Sequence, residues 1–267
     1  MSTDEILSKM ARAYKTSLER RQRSECSLRN SAVYEKNEVR SPSGEVLYLS
    51  THDFCSDSLP YRIGELLQMT GIVFPEYAQL SQEEQMLMRK AFVGTFYLIE
   101  KSYLTCKYFP GGNRYLMMSP TTCYDMQHPS SYWLTSKDPV EAPKILEFYN
   151  RRSFAMNQPV INEAKLTDTE YHAALCLLIW DFTHAPWIPD NIYKSGERIR
   201  RRILEELHRY YRGALECFEY APRLGRLLTL IHTTQETLSL LQLKYQEYKL
   251  LGVSHTTEDD LVVKVIL

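Results

Sequence analysis

Six cysteines and seven histidines are the residues of this chain best suited to hold a metal or attack a substrate, and their spacing suits neither task. Cys26, Cys55, Cys106, Cys123, Cys176 and Cys217 contain no pair at the short separation that a zinc site needs. His172, His208 and His232 fall on expected helices, at no ligand-like spacing, and read as surface or satisfied core residues. The carboxylate pairs Glu83-Glu84, Glu205-Glu206 and Asp259-Asp260 are immediate neighbours. Neighbours on a helix point apart, so these pairs suit a solvated face rather than general acid/base work. The zinc-binding His-Glu-x-x-His, the Gly-x-Ser-x-Gly elbow, the phosphate-binding glycine loop and the dinucleotide glycine cluster are all missing. No catalytic or metal-ligating residue is expected, and an enzyme reading has no reactive constellation to rest on.

Charge narrows the classes further. The 267 residues carry a formal net charge of -1, too little cationic excess for a chain that displaces counterions from phosphate along its whole surface. Arg198, Arg200, Arg201 and Arg202 alternate with Glu197, Glu205 and Glu206, which reads as a salt-bridged surface helix, with nucleic-acid contact the lesser alternative. Hydrophobic residues at 44% and charged residues at 24% are ordinary for a globular protein. Scattered cysteines favour free thiols in a reducing compartment. No signal core opens the chain, and no apolar run reaches the ~20 residues needed to span a bilayer. A soluble, intracellular single domain over residues 1–267 is the expectation, with no membrane association.

The elements that would position any site are helices. Ile6, Leu7, Met10, Tyr14 and Leu18 repeat at threes and fours, predicting a helix from Asp4 to about Glu25, with Arg20, Arg21 and Arg23 favourable near its C-terminal dipole. Residues 27–57 read as a long loop, with a short strand near Val46–Leu49. A helix follows from about Pro60 to Ile72. Ser81 and Glu84 form a capping box before a helix from Gln82 to about Cys106 that is apolar nearly all round, through Met86, Leu87, Met88, Phe92, Val93, Phe96, Tyr97, Leu98 and Ile99. Such a helix must be covered on both sides, which implies a layered helical sandwich with this helix in the middle. Pro110-Gly111-Gly112-Asn113 predicts the turn of a small β-hairpin. Further helices are expected over Asp138 to about Met156, from Thr167 and Glu170 (a second capping box) through Trp180, from Ile192 to about Tyr220, and from Pro222 to Leu251, where Gly252 stops the last.

Phe74-Pro75-Glu76-Tyr77-x-x-Leu80-x-x-x-x-Gln85-Met86 resembles the signature joining the third, fourth and fifth helices of nuclear-receptor ligand-binding domains. Arg223-Leu224-x-x-Leu227-Leu228, continuing to Lys249-Leu250-Leu251-Gly252, resembles the tenth and eleventh helices of the retinoid X receptor group. Ala13-Tyr14 with Glu19-Arg20-Arg21 resembles the first helix of nematode receptors of the hepatocyte nuclear factor 4 group, and Leu166-Thr167-x-x-Glu170 the start of the eighth helix. The resemblance implies an all-α, three-layer sandwich of about ten to twelve helices with one small β-hairpin. It implies a lipophilic ligand, fatty-acid-like or otherwise, and no cofactor. A homo- or heterodimer partner, transcriptional coregulators and a nuclear location follow from it. The cysteine pattern carries no zinc-finger DNA-binding domain. The chain is then either an excised piece or a receptor without that half, and makes no direct nucleic-acid contact.

Carried onto this sequence, the resemblance lines a ligand pocket with Leu59, Ile63 and Leu67 of the third helix and Val93, Tyr97, Leu98 and Lys101 of the fifth. Tyr115 and Met117 of the hairpin, Phe154, and Leu241 of the eleventh helix complete it. The arginine that holds a ligand carboxylate in fatty-acid-binding relatives falls on Leu104 here, with Lys101 the nearest cation one turn earlier. A dimer surface is implied at Arg223, Arg226, Leu227 and Leu230. A coregulator groove is implied at Ile72, Gln85, Met86 and Arg89, closed by an activation-helix-like tail at 258–267. Two departures mark that groove: Ile72 stands where relatives carry a lysine, and Lys264 where they carry a glutamate. A lysine there would repel the positive end of a bound peptide helix, so ordinary coactivators should bind weakly. The alternative is a ligand-independent dimerisation module whose pocket is filled by its own side chains, Phe92, Phe96, Tyr97 and the methionines among them.

Overall fold

A computed structural model describes residues 5–31, 34, 36–112, 114–133, 141–182 and 185–250. Among these residues the helices are α1 (Ile6–Asn30), α2 (His52–Val73), α3 (Pro75–Ala78), α4 (Gln82–Tyr108), α5 (Glu141–Ala164), α6 (Asp168–Ile179), α7 (Asp190–Arg212) and α8 (Ala221–Leu250). The strands are β1 (Glu38–Arg40), β2 (Val46–Leu49), β3 (Tyr115–Met117) and β4 (Thr122–Asp125), and a 3-10 turn spans Pro129–Trp133. The helices stack in three layers. α1 lies on α2, α5 lies on α8, and α4 and α6 run between the two pairs, with α7 against α6 and α1.

The middle layer has the cause the sequence suggested. Residues 92–100 of α4 are buried without interruption, so no face of that stretch meets water. Both expected capping boxes are present, Ser81 with Glu84 and Thr167 with Glu170. Each satisfies two orphan N–H groups and contributes about 0.5–2 kcal/mol. α7 buries Ile192, Gly196, Ile199, Ile203, Glu206, Leu207 and Tyr211, a seam at threes and fours that faces inward. Gly196 is there for space: a Cβ would sit 2.9 Å from the Phe182 ring.

Several boundaries differ from the sequence reading, and the described residues form eight α-helices where ten to twelve were expected. The 27–57 loop is instead the last turn of α1, a β1–β2 hairpin and the first turns of α2. Thr51 caps α2 by accepting from the Phe54 N–H, and the helix continues through Pro60 on its exposed side. α5 likewise runs through Pro159 to Ala164. Helices tolerate such prolines where packing outweighs one lost hydrogen bond. Tyr103–Tyr108 belongs to α4, so the hairpin forms one turn later, between β3 and β4. It joins a four-stranded sheet in the order β1-β2-β4-β3, with β2 parallel to β4 through Tyr48 opposite Thr122. α7 stops at Arg212 rather than near Tyr220. The tail at 258–267, with Lys264, and the Gly252 stop lie outside the described residues.

Charged residues hold the layers together. α1 continues to Asn30, so Arg21 is a mid-helix residue, not a dipole partner near the end. It is buried and grips both oxygens of buried Glu100 on α4, each at 2.7 Å, while the Tyr14 hydroxyl donates to the same carboxylate at 2.9 Å. Burial alone would push Glu100 up, but the Arg21 charge and these hydrogen bonds outweigh it and hold the carboxyl below its ordinary value. Glu206, read from sequence as part of a solvated face, is buried and accepts the backbone N–H groups of Ile6 and Leu7 at 2.9 Å each. It thus caps α1 from α7, supplying the partner that the local sequence of α1 lacks.

Candidate ligand-binding cavity

A cavity of about 140 Å³ lies between α2, α4, α5, α8 and the edge of β3. It has room for roughly ten waters at ~10–15 Å³ each, or for a short hydrocarbon chain. α2 supplies Cys55, Leu59 and Arg62, one face at threes and fours. α4 supplies Gly94, Tyr97, Leu98, Lys101 and Ser102, again two turns of one face. Leu116 and Met118 close one wall beside Tyr132. α5 contributes Asn150, Ser153, Phe154 and Asn157, and α8 contributes Leu241 and Lys244. Behind the β3 wall, Tyr124, Tyr132 and Trp133 pack as an aromatic cluster, and His52 stacks on Trp133 at 4.6 Å. Rings locked edge to face make that wall stiff.

Six of the eleven residues expected at a pocket surround this cavity: Leu59, Tyr97, Leu98, Lys101, Phe154 and Leu241. The other five do not. Ile63 and Val93 are buried in the main core, and Leu67 packs against that core. Successive helical residues turn by about 100°, so a neighbour of a cavity residue faces another layer. The hairpin was read one residue out of phase. Side chains alternate across a strand, so Leu116 and Met118 face the cavity while Met117 faces the opposite core with Leu104 and Cys123. Tyr115 packs on Phe109. The polar residues Arg62, Ser153 and Asn157 were missed, because polar positions on an amphipathic helix look solvent-facing until a second layer covers them.

The polar atoms of the cavity wall are incompletely bonded. Arg62 is 5% exposed, stands over the Tyr97 ring at 4.8 Å, and its Nε has no hydrogen-bond partner. The Tyr97 hydroxyl, the Ser153 hydroxyl and Asn157 Oδ1 are also buried without partners. Burial pushes the Tyr97 phenol well up, so it remains a donor. Asn157 is itself held in place, donating to Thr237 Oγ1 at 2.7 Å. Burial lifts the Cys106 thiol to about 11 and that of Cys123 to about 12, so neither is a thiolate nucleophile near neutral pH.

The positions expected at a coregulator groove divide in two. Ile72 and Met86 are each exposed apolar residues, 59% and 55% exposed. Gln85 instead donates to the carbonyls of Tyr77 and Leu80 at 3.4 and 3.1 Å, tying the α3–α4 junction together. Arg89 donates to the Tyr77 hydroxyl at 3.3 Å and to Gln85. The positions expected at a dimer surface need correction. Leu227 and Leu230 are fully buried in the core. Arg223 grips Glu170 of α6 through two nitrogens at 2.5 and 2.6 Å, and Glu170 also accepts from Tyr211 at 3.0 Å. Arg226 is half-buried and its Nε has no hydrogen-bond partner. The outward face of α8 is formed by Leu228, Thr229, His232, Glu236 and Leu243.

Among the described residues no helix is long and apolar enough to cross a membrane, and no group of three His, Cys, Asp or Glu could hold a metal. Comparison with known proteins agrees with this architecture. The nuclear hormone receptor family member nhr-28 of Caenorhabditis briggsae is 25% identical over 178 residues, 63% of this chain and 39% of that protein's length. The Ultraspiracle ligand binding domain from Drosophila melanogaster superimposes with a TM-score of 0.54 at 12% identity, covering 93% of this chain and 96% of that one. Residues 50–250 match the family described as the ligand-binding domain of nuclear hormone receptor. The chain belongs to the nuclear hormone receptor ligand-binding domain family.

Proposed function

We propose that this domain reads a small lipophilic molecule in the cavity between α2, α4, α5 and α8 and passes the signal to transcriptional partners in the nucleus. One observation carries the reading: an apolar space, walled by Leu59, Leu98, Leu116, Met118, Phe154 and Leu241, with a few buried polar groups set into it. That combination is the usual build of a small-molecule site. A cavity of about 140 Å³ argues against a pocket wholly filled by its own side chains. The domain pairs with a second receptor through the outward face of α8, from Leu228 to Leu243, rather than through Leu227 and Leu230. Its coregulator surface is apolar at Ile72 and Met86, and the cation of ordinary relatives is missing there. With Lys264 at the glutamate position, leucine-rich coactivator peptides bind more weakly than low micromolar.

Thermal shift against a panel of lipids tests the ligand reading. A ligand at one hundred times its Kd raises stability by about 2.7 kcal/mol, or roughly 5–10 °C for a domain of this size. Leu98→Trp, which fills the cavity, should abolish the shift while leaving the fold intact. No shift with any lipid, and a dimer unchanged by Leu98→Trp, would instead support a ligand-independent dimerisation module.

A further inference from the structure

We propose that the open groove between α1 and α2 docks an acidic, amphipathic helix of a partner protein. The groove has a volume of about 330 Å³ and shares no residue with the ligand cavity. Of the positions expected to bind coregulators it includes only Ile72. α1 forms one bank with Lys9, Arg12, Thr16 and Arg20, a single stripe at threes and fours. α2 forms the other with Glu65, Gln68 and Ile72, and Ala13 and Met69 make an apolar floor. Three cations thus line the groove against one carboxylate, and Arg20 already approaches that carboxylate, Glu65, at 3.7 Å while donating to Gln68 at 2.9 Å. The outward side of α1 adds Lys15 and Arg23 against Glu19. α1 runs antiparallel to α2, since Arg20 meets Gln68 while Leu28 lies beside Ser58 and Tyr61. Lys9 and Arg12 therefore stand toward Ile72.

The α2 bank is shaped for close approach. Tyr61 and Ile72 are 60% and 59% exposed and stand about three turns apart on one side of the helix. Between them lie Gly64 and Gly71, at which a Cβ would meet nothing within 4 Å. No contact inside the described chain requires either glycine, yet glycine inside a helix is destabilising relative to alanine. Their bare backbone leaves a low saddle between two apolar anchors, where a partner helix can lie close. A cationic bank beside an apolar saddle suits a helix of about three turns with carboxylates along one side and apolar residues along the next. A nucleic acid would engage the cations and leave Tyr61 and Ile72 uncovered.

The test uses fluorescence anisotropy on the whole chain with a labelled fourteen-residue helical peptide, built on alanine, with glutamates along one side and isoleucines along the next. The same peptide with every glutamate changed to glutamine is the comparator. The acidic peptide should bind at least tenfold tighter than the glutamine peptide, and the difference should shrink as salt rises. Lys9→Glu with Arg12→Glu should weaken the acidic peptide at least tenfold, and Ile72→Asp at least fivefold. Gly64→Trp fills the saddle without touching a charge, should weaken binding at least fivefold, and serves if the double variant folds poorly. Arg198→Glu with Arg201→Glu on α7 makes the same change of net charge elsewhere and should leave binding within twofold. Equal binding of the two peptides, a preference that survives Lys9→Glu with Arg12→Glu, or an equal loss from the α7 variant overturns the proposal. So does a single-stranded oligonucleotide that binds tighter than the acidic peptide and is unaffected by Ile72→Asp and Gly64→Trp. Lipid binding in the cavity plays no part in any of these outcomes.

Discussion

Glu100→Gln should be among the most damaging single substitutions outside the apolar core. The side chain keeps its shape and loses its charge, leaving Arg21, 1% exposed, without a counter-ion. Breaking one partner of a buried pair costs about 3–5 kcal/mol, because the remaining charge stays desolvated. For a domain of this size that corresponds to a fall in Tm of roughly 6–20 °C. The Tyr14 hydroxyl can still donate to the amide oxygen, so the lower half of that range is expected. Differential scanning calorimetry and urea melts of wild type, Glu100→Gln, Arg21→Met and the double variant Arg21→Met/Glu100→Leu complete the comparison. The double variant should regain much of the loss, since two matched apolar groups replace two matched charges. Asp190→Asn, at the exposed Asp190–Lys194 pair, is the control and should change nothing measurable. A loss below about 1 kcal/mol for Glu100→Gln would refute the reasoning that this pair locks α1 onto the middle layer.

Three further outcomes follow from named contacts. Glu206→Gln weakens the remote cap on Ile6 and Leu7, so α1 should exchange its first amide hydrogens faster, at a stability cost of about 0.5–2 kcal/mol; unchanged exchange would contradict the cap. Burial would raise the pKa of Asp125, but Arg114, the Gln127 N–H and His128 outweigh it and hold it at about 2. A depressed carboxyl stabilises the fold above its unfolded value near 3.9 and loses that contribution as pH falls towards 2. The Tm gap between wild type and Asp125→Asn should therefore narrow between pH 5 and 2, and a constant gap would count against it. Leu228→Glu with Leu243→Glu should turn a dimer into a monomer by light scattering without lowering the monomer's Tm, whereas Arg223→Met should lower Tm by releasing Glu170; the reverse pattern would return the interface to Arg223.

Local pattern carried much of this fold. The all-round apolar run of α4, the two capping boxes and the inward seam of α7 are all set by residues within two or three turns of each other. What stayed hidden depends on partners far along the chain. Arg21 meets Glu100 across 79 residues and Glu206 meets Ile6 across 200, so both looked like surface charges. The sequence pattern starts one helix at about Pro60 and ends another near Met156, and only packing shows that α2 begins at His52 and that α5 runs on through Pro159 to Ala164. The cavity was partly legible through Leu59, Tyr97, Leu98 and Phe154, which share apolar helix faces. The hairpin phase was not, because moving the turn from residues 110–113 to the segment between Met117 and Thr122 changes which strand residues face the cavity. Leu227 and Leu230 resembled a dimer motif, yet burial in their own chain was the stronger claim on them.

The most direct measurement is native mass spectrometry of the purified chain, with organic extraction of whatever accompanies it. A discrete lipid-sized mass, held by the folded wild type and absent from Leu98→Trp, is the predicted result. An identical ligand-free mass for both proteins from several expression hosts, with no lipid adding to either when supplied, would contradict the ligand-binding reading.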